Sequence, residues 1–193
     1  MVIAEALGRQ GLEVRPLTVA EFHRMGEVGI LGEDDRVELL EGVLTVMSPI
    51  GPRHALAVDA LMRLLVAAVG DRARVRIQNP VTLDNGSEPT PDVVVARNRW
   101  RGYPASHPGP DDVLLLVEVS DSTIRADLGA KRALYARAGI AEYWVVDLTK
   151  DVVHVHRTPA GGRYADEHER TPDSTLDVQA IPGVSVPAEP LFT

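Results

Sequence analysis

The chain has 193 residues, a formal net charge of −8, 45% hydrophobic and 25% charged residues, a make-up that fits one globular domain and excludes a collagen-like or wholly disordered chain. With 0 cysteines it has no disulfides, iron–sulfur clusters, thiolate zinc sites or cysteine nucleophiles. The acidic balance argues against a passive nucleic-acid coat, and the 4% of aromatic residues leave the core to Val, Leu, Ile and Ala.

Residues 17–26 (LTVAEFHRMG) read as a short helix, with Thr18 as N-cap, Glu21 completing a capping box and Gly26 as the stop. Residues 36–49 read as a strand or half a hairpin about Glu41-Gly42, closed by Pro49. The clearest helix is 54–69, with Leu56, Ala60, Leu64 and Ala67 as its predicted core face and Gly70 as its end. From 74 to 83, Val75, Ile77, Val81 and Leu83 alternate as in a half-buried strand, and Pro80 suggests an edge or bulge.

Residues 92–96, 113–119 and 143–148 are nearly continuous apolar runs, as expected of strands covered on both faces. Between the last two lies a helix, 124–138, ending at Gly139, so 113–148 reads as a strand–helix–strand crossover. The tail reads as short strands, with 180–192 packing on an edge. The predicted class is α/β, with a mixed sheet of about six strands. No apolar run approaches the ~18 residues that span a bilayer. The Met1 end lacks a basic-then-apolar leader, so a cytoplasmic protein without a membrane partner is expected.

Most familiar catalytic spacings are absent: there is no phosphate-binding Gly-Lys-Ser/Thr loop, no dinucleotide glycine pattern, no HExxH and no GxSxG. His154 and His156 share one strand face, which suits a solvated surface better than a metal pair. One constellation remains. Asp92 opens an apolar strand directly after Pro91, and Glu118 lies inside the run LLLVEVS, where a carboxylate is costly unless paired or bound to a cation. Two converging strand carboxylates suit Mg²⁺ or Mn²⁺, which prefer oxygen ligands. Asp127, Lys131 and Tyr135 follow at helical spacing on one face, and Lys131 borders the apolar stripe. Only Lys131 and Lys150 are lysines. Taken singly, these residues read as an Asp127–Lys131 surface pair and a turn-capping Asp92; taken as a set, they point to function.

The segments TPDVVVA and LLLVEVSDST, followed by D-x-x-x-K-x-x-x-Y-A-x-A-G-I-x-E-Y-W-V-V-D over 127–147, resemble the Uma-type restriction-endonuclease family, a bacterial branch of the PD-(D/E)XK nuclease superfamily. RVELLEGVLTVMSPIGPRH upstream and the tail Ile181-Pro182-Gly183-Val184 with Leu191-Phe192 extend the resemblance from about Leu17 to Phe192. It implies a restriction-endonuclease-like mixed β-sheet flanked by helices. The expected domain is single, 1–193, with an N-terminal helix and hairpin over 17–49, a core over 54–158 and C-terminal edge strands over 159–193.

By the same resemblance, Asp92 and Glu118 are metal ligands, with the backbone carbonyl of Val119 as a third, and Glu38 is the extra upstream carboxylate with Glu41 beside it. His54 and Gln78 match recurrent polar positions without an assigned role. The superfamily places Lys two residues after the Glu, where this chain has Ser120; Lys131 takes that part only if the helix aims it back at the strand end. The implied activity is Mg²⁺- or Mn²⁺-dependent endonucleolytic hydrolysis of phosphodiester bonds, with DNA as substrate and a homodimer as the working unit. Rival readings are a nuclease-fold module that binds without cutting and a metal hydrolase of small phosphoesters. Arg72-Arg74-Arg76 and Arg97-Arg99-Arg101 are candidate phosphate contacts, or simply solvated faces.

Overall fold

The structure, a computed structural model, describes residues 10–11, 13–32 and 34–192. The Met1 end, read above for a leader, lies outside the described residues.

Helix α1 (Val19–Glu27) starts as its sequence dictates: the Thr18 side chain accepts from Glu21 N and the Glu21 carboxylate accepts from Thr18 N. It runs past Gly26 and stops at Val28, whose N–H bonds back to the Arg24 carbonyl, while Gly29, in the left-handed region, donates its N–H to the Gly26 carbonyl. Strands β1 (Val37–Leu40) and β2 (Val43–Val46) form a complete two-residue hairpin, Leu40 pairing with Val43. Glu41 and Gly42 both take positive φ, 50° and 76°, as a type I′ turn requires. Glycine is needed at 42 for a second reason: a Cβ there would collide with Pro16.

Helix α2 (Pro52–Val69) has Pro in its first turn, where its missing N–H costs nothing. Its buried face is Ala57, Val58, Ala60, Leu61, Leu65 and Val69, whereas Leu56 and Ala67, predicted to face the core, point to solvent. The helix is apolar on nearly every side, so period alone admits two stripes and tertiary packing selects one.

A six-stranded sheet in the order β3-β4-β5-β6-β7-β8 forms the centre, built from β3 (Ala73–Ile77), β4 (Val93–Arg97), β5 (Val113–Ser120), β6 (Glu142–Asp147), β7 (Val152–Ala160) and β8 (Arg163–Arg170). Neighbours are antiparallel except β5 and β6, which are parallel and joined by helix α3 (residues 124–137). Strand β3 ends at Ile77 because Gln78 adopts a φ of 49° and turns the chain. Val75 and Ile77 therefore pack on one side of the sheet, while Val81 and Leu83 join the core on the other, which breaks the predicted four-residue alternation.

Helix α3 consists of an α-turn Ile124–Ala126, a π-helical segment Asp127–Lys131 and an α-helical segment Arg132–Arg137. Along the strands, Val93, Val95, Leu115, Val117, Trp144 and Val146 face α2, while Val94, Ala96, Leu116, Tyr143 and Val145 face α3. Burial on both faces is why the β4, β5 and β6 runs are continuously apolar. Strands β9 (Thr175–Asp177) and β10 (Ser185–Pro187) make a separate ribbon. Ile181, Val184, Val186 and Leu191 join the core on the α2 side, so 180–192 covers a face of the sheet rather than an edge.

His154 and His156 do not lie on a solvated face; they are buried on β7, with His156 stacked against Tyr143. Arg72 lies in a short turn before β3 and binds the Ala68 carbonyl at the end of α2, so Arg72, Arg74 and Arg76 are not one strand face. Arg99 pairs with Asp112, and the Arg76 and Arg99 guanidinium groups stand over the Tyr103 ring at 5.5 and 5.3 Å.

Candidate active site at the ends of β4 and β5

The β4–β5 register pairs Val93 with Val117, and one further step sets Asp92 opposite Glu118. Alternation puts both carboxylates on the α3 side, with Val94 and Leu116. Asp92 is held from three directions. Its Oδ1 accepts from His54 Nε2 at 2.8 Å and from Gln78 Nε2 at 3.2 Å, and its Oδ2 accepts from Val119 N at 2.8 Å. His54 and Gln78 thereby acquire the role the sequence left blank: they orient Asp92, one from the first turn of α2, the other from the kink that ends β3.

Glu118 is 4% exposed. Its Oε1 accepts from Lys131 Nζ at 3.1 Å and from Tyr135 Oη at 2.7 Å. Lys131 thus does aim back at the strand end from α3. Its Nζ also lies 3.0 Å from Glu38 Oε1, and Glu38 Oε2 accepts from Thr90 N at 3.1 Å. Glu38 reaches this point because the hairpin is stitched to the segment before β4, Leu39 and Glu88 exchanging backbone hydrogen bonds. Asp127 does not pair with Lys131: it is buried and accepts from Ser120 Oγ at 2.6 Å and Thr123 Oγ1 at 2.5 Å, tying the start of α3 to the end of β5. Glu41 turns to Arg137 instead, at 2.5 Å. Val119 contributes its amide to Asp92, and its side chain belongs to the opposite core.

A cleft of about 910 Å³ opens over this cluster, lined by Glu38, His54, Gln78, Asp92, Glu118 and Lys131. Negative charge dominates it. Burial, together with Asp127, Asp92 and Glu38, pushes the Glu118 carboxyl up to about 8, against the pull of Lys131. Burial also opposes the charge on Lys131, but Glu118 and Glu38 more than offset it and raise its pKa. The hydrogen bond to Asp92 raises His54, outweighing its partial burial. Tyr135, raised by burial and by Glu118, stays a hydrogen-bond donor.

Among the described residues no group of three or more His, Asp or Glu is arranged as a metal site. The donor set nevertheless fits a hard divalent ion that keeps most of its waters, which needs only one or two carboxylates. Asp92 and Glu118 are the two that could supply these, and a cation there would offset the burial and the neighbouring carboxylates that lift Glu118. The sequence missed Thr90, whose amide fixes Glu38, and gave Tyr135 no part; Tyr135 was legible only as a neighbour of Lys131 on one helical face.

None of the curated proteins matches the chain. The crystal structure of a "putative nuclease belonging to DUF820" from Anabaena variabilis superposes with a TM-score of 0.68 over 92% of this chain and 98% of that one at 17% identity, a shared fold. The type IIG restriction endonuclease BpuSI aligns with 62% of this chain and 14% of its own, at 18% identity and a TM-score of 0.39. The profile of the Uma2 family, described as "Putative restriction endonuclease", matches residues 19–189, and the chain belongs to that family.

Proposed function

We propose that this protein is a Mg²⁺- or Mn²⁺-dependent endonuclease that hydrolyses phosphodiester bonds of DNA. The observation that carries this reading is the meeting of Glu38, Glu118 and Lys131 beside Asp92 at the floor of one cleft. Membership of a family described as restriction endonucleases supports it. Asp92 and Glu118 would hold the cation, with the Val119 carbonyl beside them. A bound divalent cation supplies Lewis-acid charge to the scissile phosphate and makes a coordinated water more acidic.

The chain's own residues do the rest. His54 and Gln78 fix the Asp92 carboxylate, so it needs little reorganisation to bind. Lys131, flanked by two carboxylates, is held as a cation and steadies negative charge on the phosphate instead of taking a proton. Glu38 positions Lys131, and Tyr135 fixes the oxygen of Glu118 that Lys131 shares. Residues 1–193 would act as one domain.

Incubation of supercoiled plasmid with the protein and Mn²⁺ or Mg²⁺ tests the reading. Nicked or linear products should appear, vanish with a chelator, and be absent for Asp92→Asn and Glu118→Gln. Failure to cut any DNA or RNA overturns it. A titration with Mn²⁺ then separates the rivals: an inactive module binds the ion no better than its Asp92→Ala variant. A small-phosphoester hydrolase would cleave mononucleotide esters and spare polymers.

A further inference from the structure

The outer edge of the sheet carries positive charge in a chain whose net charge is −8. Arg74 and Arg76 lie on edge strand β3, where they alternate with Val75 and Ile77 of the α2-side core. They therefore face the α3 side, the side of Asp92. Strand β4 starts just past Asp92 and ends at Arg97, about 17 Å on. The loop that follows is pinned to the edge. Gly102 N bonds to the Arg99 carbonyl at 2.9 Å, closing a β-turn with Trp100 and Arg101 at its corner. Arg74 donates to the same carbonyl at 3.3 Å, and Tyr103 Oη donates to the Arg97 carbonyl at 2.9 Å. Two features here serve nothing within the chain. Trp100 is 94% exposed, whereas the other tryptophan, Trp144, is fully buried. Arg76 is half-buried with its guanidinium over the Tyr103 ring, yet its buried Nε has no hydrogen-bond partner among the described residues. Asp112 answers Arg99, but no carboxylate among the described residues pairs with Arg74, Arg76, Arg97 or Arg101.

We infer that Trp100 with Arg74, Arg76 and Arg101 is a docking platform for a single-stranded stretch of DNA, one base stacked on the indole and the neighbouring phosphates led along β3 toward Asp92. The charge selects the kind of partner: arginines without acids suit phosphate, which a guanidinium grips with two parallel hydrogen bonds. Arg74 and Arg76 stand two residues apart on the strand, about 7 Å, so they form a row and not a point. The indole selects the form of the DNA. Inside a duplex both faces of each base are covered by its neighbours, so an indole presented on a turn can stack only on an unpaired or terminal base. The inference rests on the nuclease reading for DNA as the partner. It adds the substrate class: DNA with an unpaired stretch beside the bond to be cut.

Binding is measured apart from cutting, with a chelator present, by the fluorescence anisotropy of labelled oligothymidylate and of a blunt duplex of the same length at low salt. The full chain should bind the single strand more tightly than the duplex. Its tryptophan fluorescence should be quenched on binding, and because Trp144 is buried the quenching reports on Trp100. Trp100→Ala should weaken single-strand binding by about tenfold or more, and Trp100→Phe should keep most of the affinity. Arg101→Gln should lower the slope of log affinity against log salt by about 0.7. Both positions are exposed, so thermal melts should show unchanged folding. A chain that binds no single strand overturns the inference, as does a Trp100→Ala variant that binds like wild type. Quenching that grows with protein concentration alone overturns it too, since a second copy would then cover Trp100. Plasmid cleavage alongside wild-type binding by Trp100→Ala refutes the platform and spares the nuclease reading. Trp100-dependent binding without cleavage by any metal does the reverse.

Discussion

Lys131 Nζ stands 3.1 Å from Glu118 Oε1, joining a helix side chain to a strand carboxylate 13 positions earlier. Serine occupies the strand position where the superfamily pattern expects the lysine, and its hydroxyl is already committed to Asp127. The cation is delivered by the next element, and the π-helical segment that ends at Lys131 is part of that delivery. Segments of this kind occur often at functional sites.

Replacing Lys131 by methionine should therefore harm folding and activity together. It leaves Glu38 and Glu118 buried without their shared cation, and breaking a buried pair in this way costs roughly 3–5 kcal/mol. Urea unfolding would measure the loss. Adding Glu38→Gln to Lys131→Met should recover part of the stability and none of the cleavage. Full stability in the single variant would show that the ion pairs contribute nothing.

Tyr135→Phe keeps the ring and removes one hydrogen bond to Glu118. The expected destabilisation is about 1 kcal/mol, small beside that of Lys131→Met. Cleavage should fall through kcat more than KM, since Tyr135 touches Glu118 and not the substrate. An unchanged kcat would remove Tyr135 from the site.

Gly42→Ala places a side chain at a φ of 76° and against Pro16. Strain of this kind costs on the order of 1–3 kcal/mol. The consequence should reach further than stability, because the same turn fixes the register that brings Glu38 to Lys131. Cleavage should drop although position 42 lies outside the cluster. Wild-type activity with lowered thermal stability would show that the site tolerates a displaced turn.

Acid stability should reflect His156. Burial, with Arg132 and His154 nearby, lowers its pKa from 6.5 to about 4, so it is neutral in the fold. The unfolded chain takes up that proton first. Stability is thus unaffected by His156 above pH 6.5 and falls progressively as pH drops toward about 4, by up to about 3 kcal/mol. Unfolding free energies measured across that window for wild type and His156→Phe should diverge, with the variant losing less. Parallel curves would mean that His156 is charged in the fold.

The sequence shows the fold well wherever local chemistry decides. The Thr18–Glu21 capping box, the Glu41-Gly42 turn and the doubly covered strands each leave a direct trace. It misleads where several arrangements share one local pattern. The apolar positions of α2 permit two core stripes, and only the sheet beneath selects the one with Leu61 and Leu65. The alternation over 74–83 has no means of announcing the turn at Gln78. The site is legible in the same uneven way. Asp92, Glu118 and Lys131 stand out because a carboxylate or a lysine in an apolar run needs a partner. Their supports do not stand out: Thr90 acts through a backbone amide, which every residue but proline has, and His54 meets Asp92 across 38 positions.

The hairpin that carries Glu38 is a satellite of the central sheet, tied by backbone bonds of Leu39 with Glu88 and Gly42 with Gly86 to the segment before β4, and by the side chains of Glu38 and Glu41 to Thr90, Lys131 and Arg137. Local opening should therefore begin at the hairpin before the six-stranded sheet, although it must uncover Leu39 and separate Glu38 from Lys131. An opened hairpin would take Glu38 away and leave Lys131 with Glu118 alone. Amide exchange faster at Glu88 and Gly42 than in β4 and β5 would mark the opened form, and its population would set the fraction of molecules ready to act at any moment.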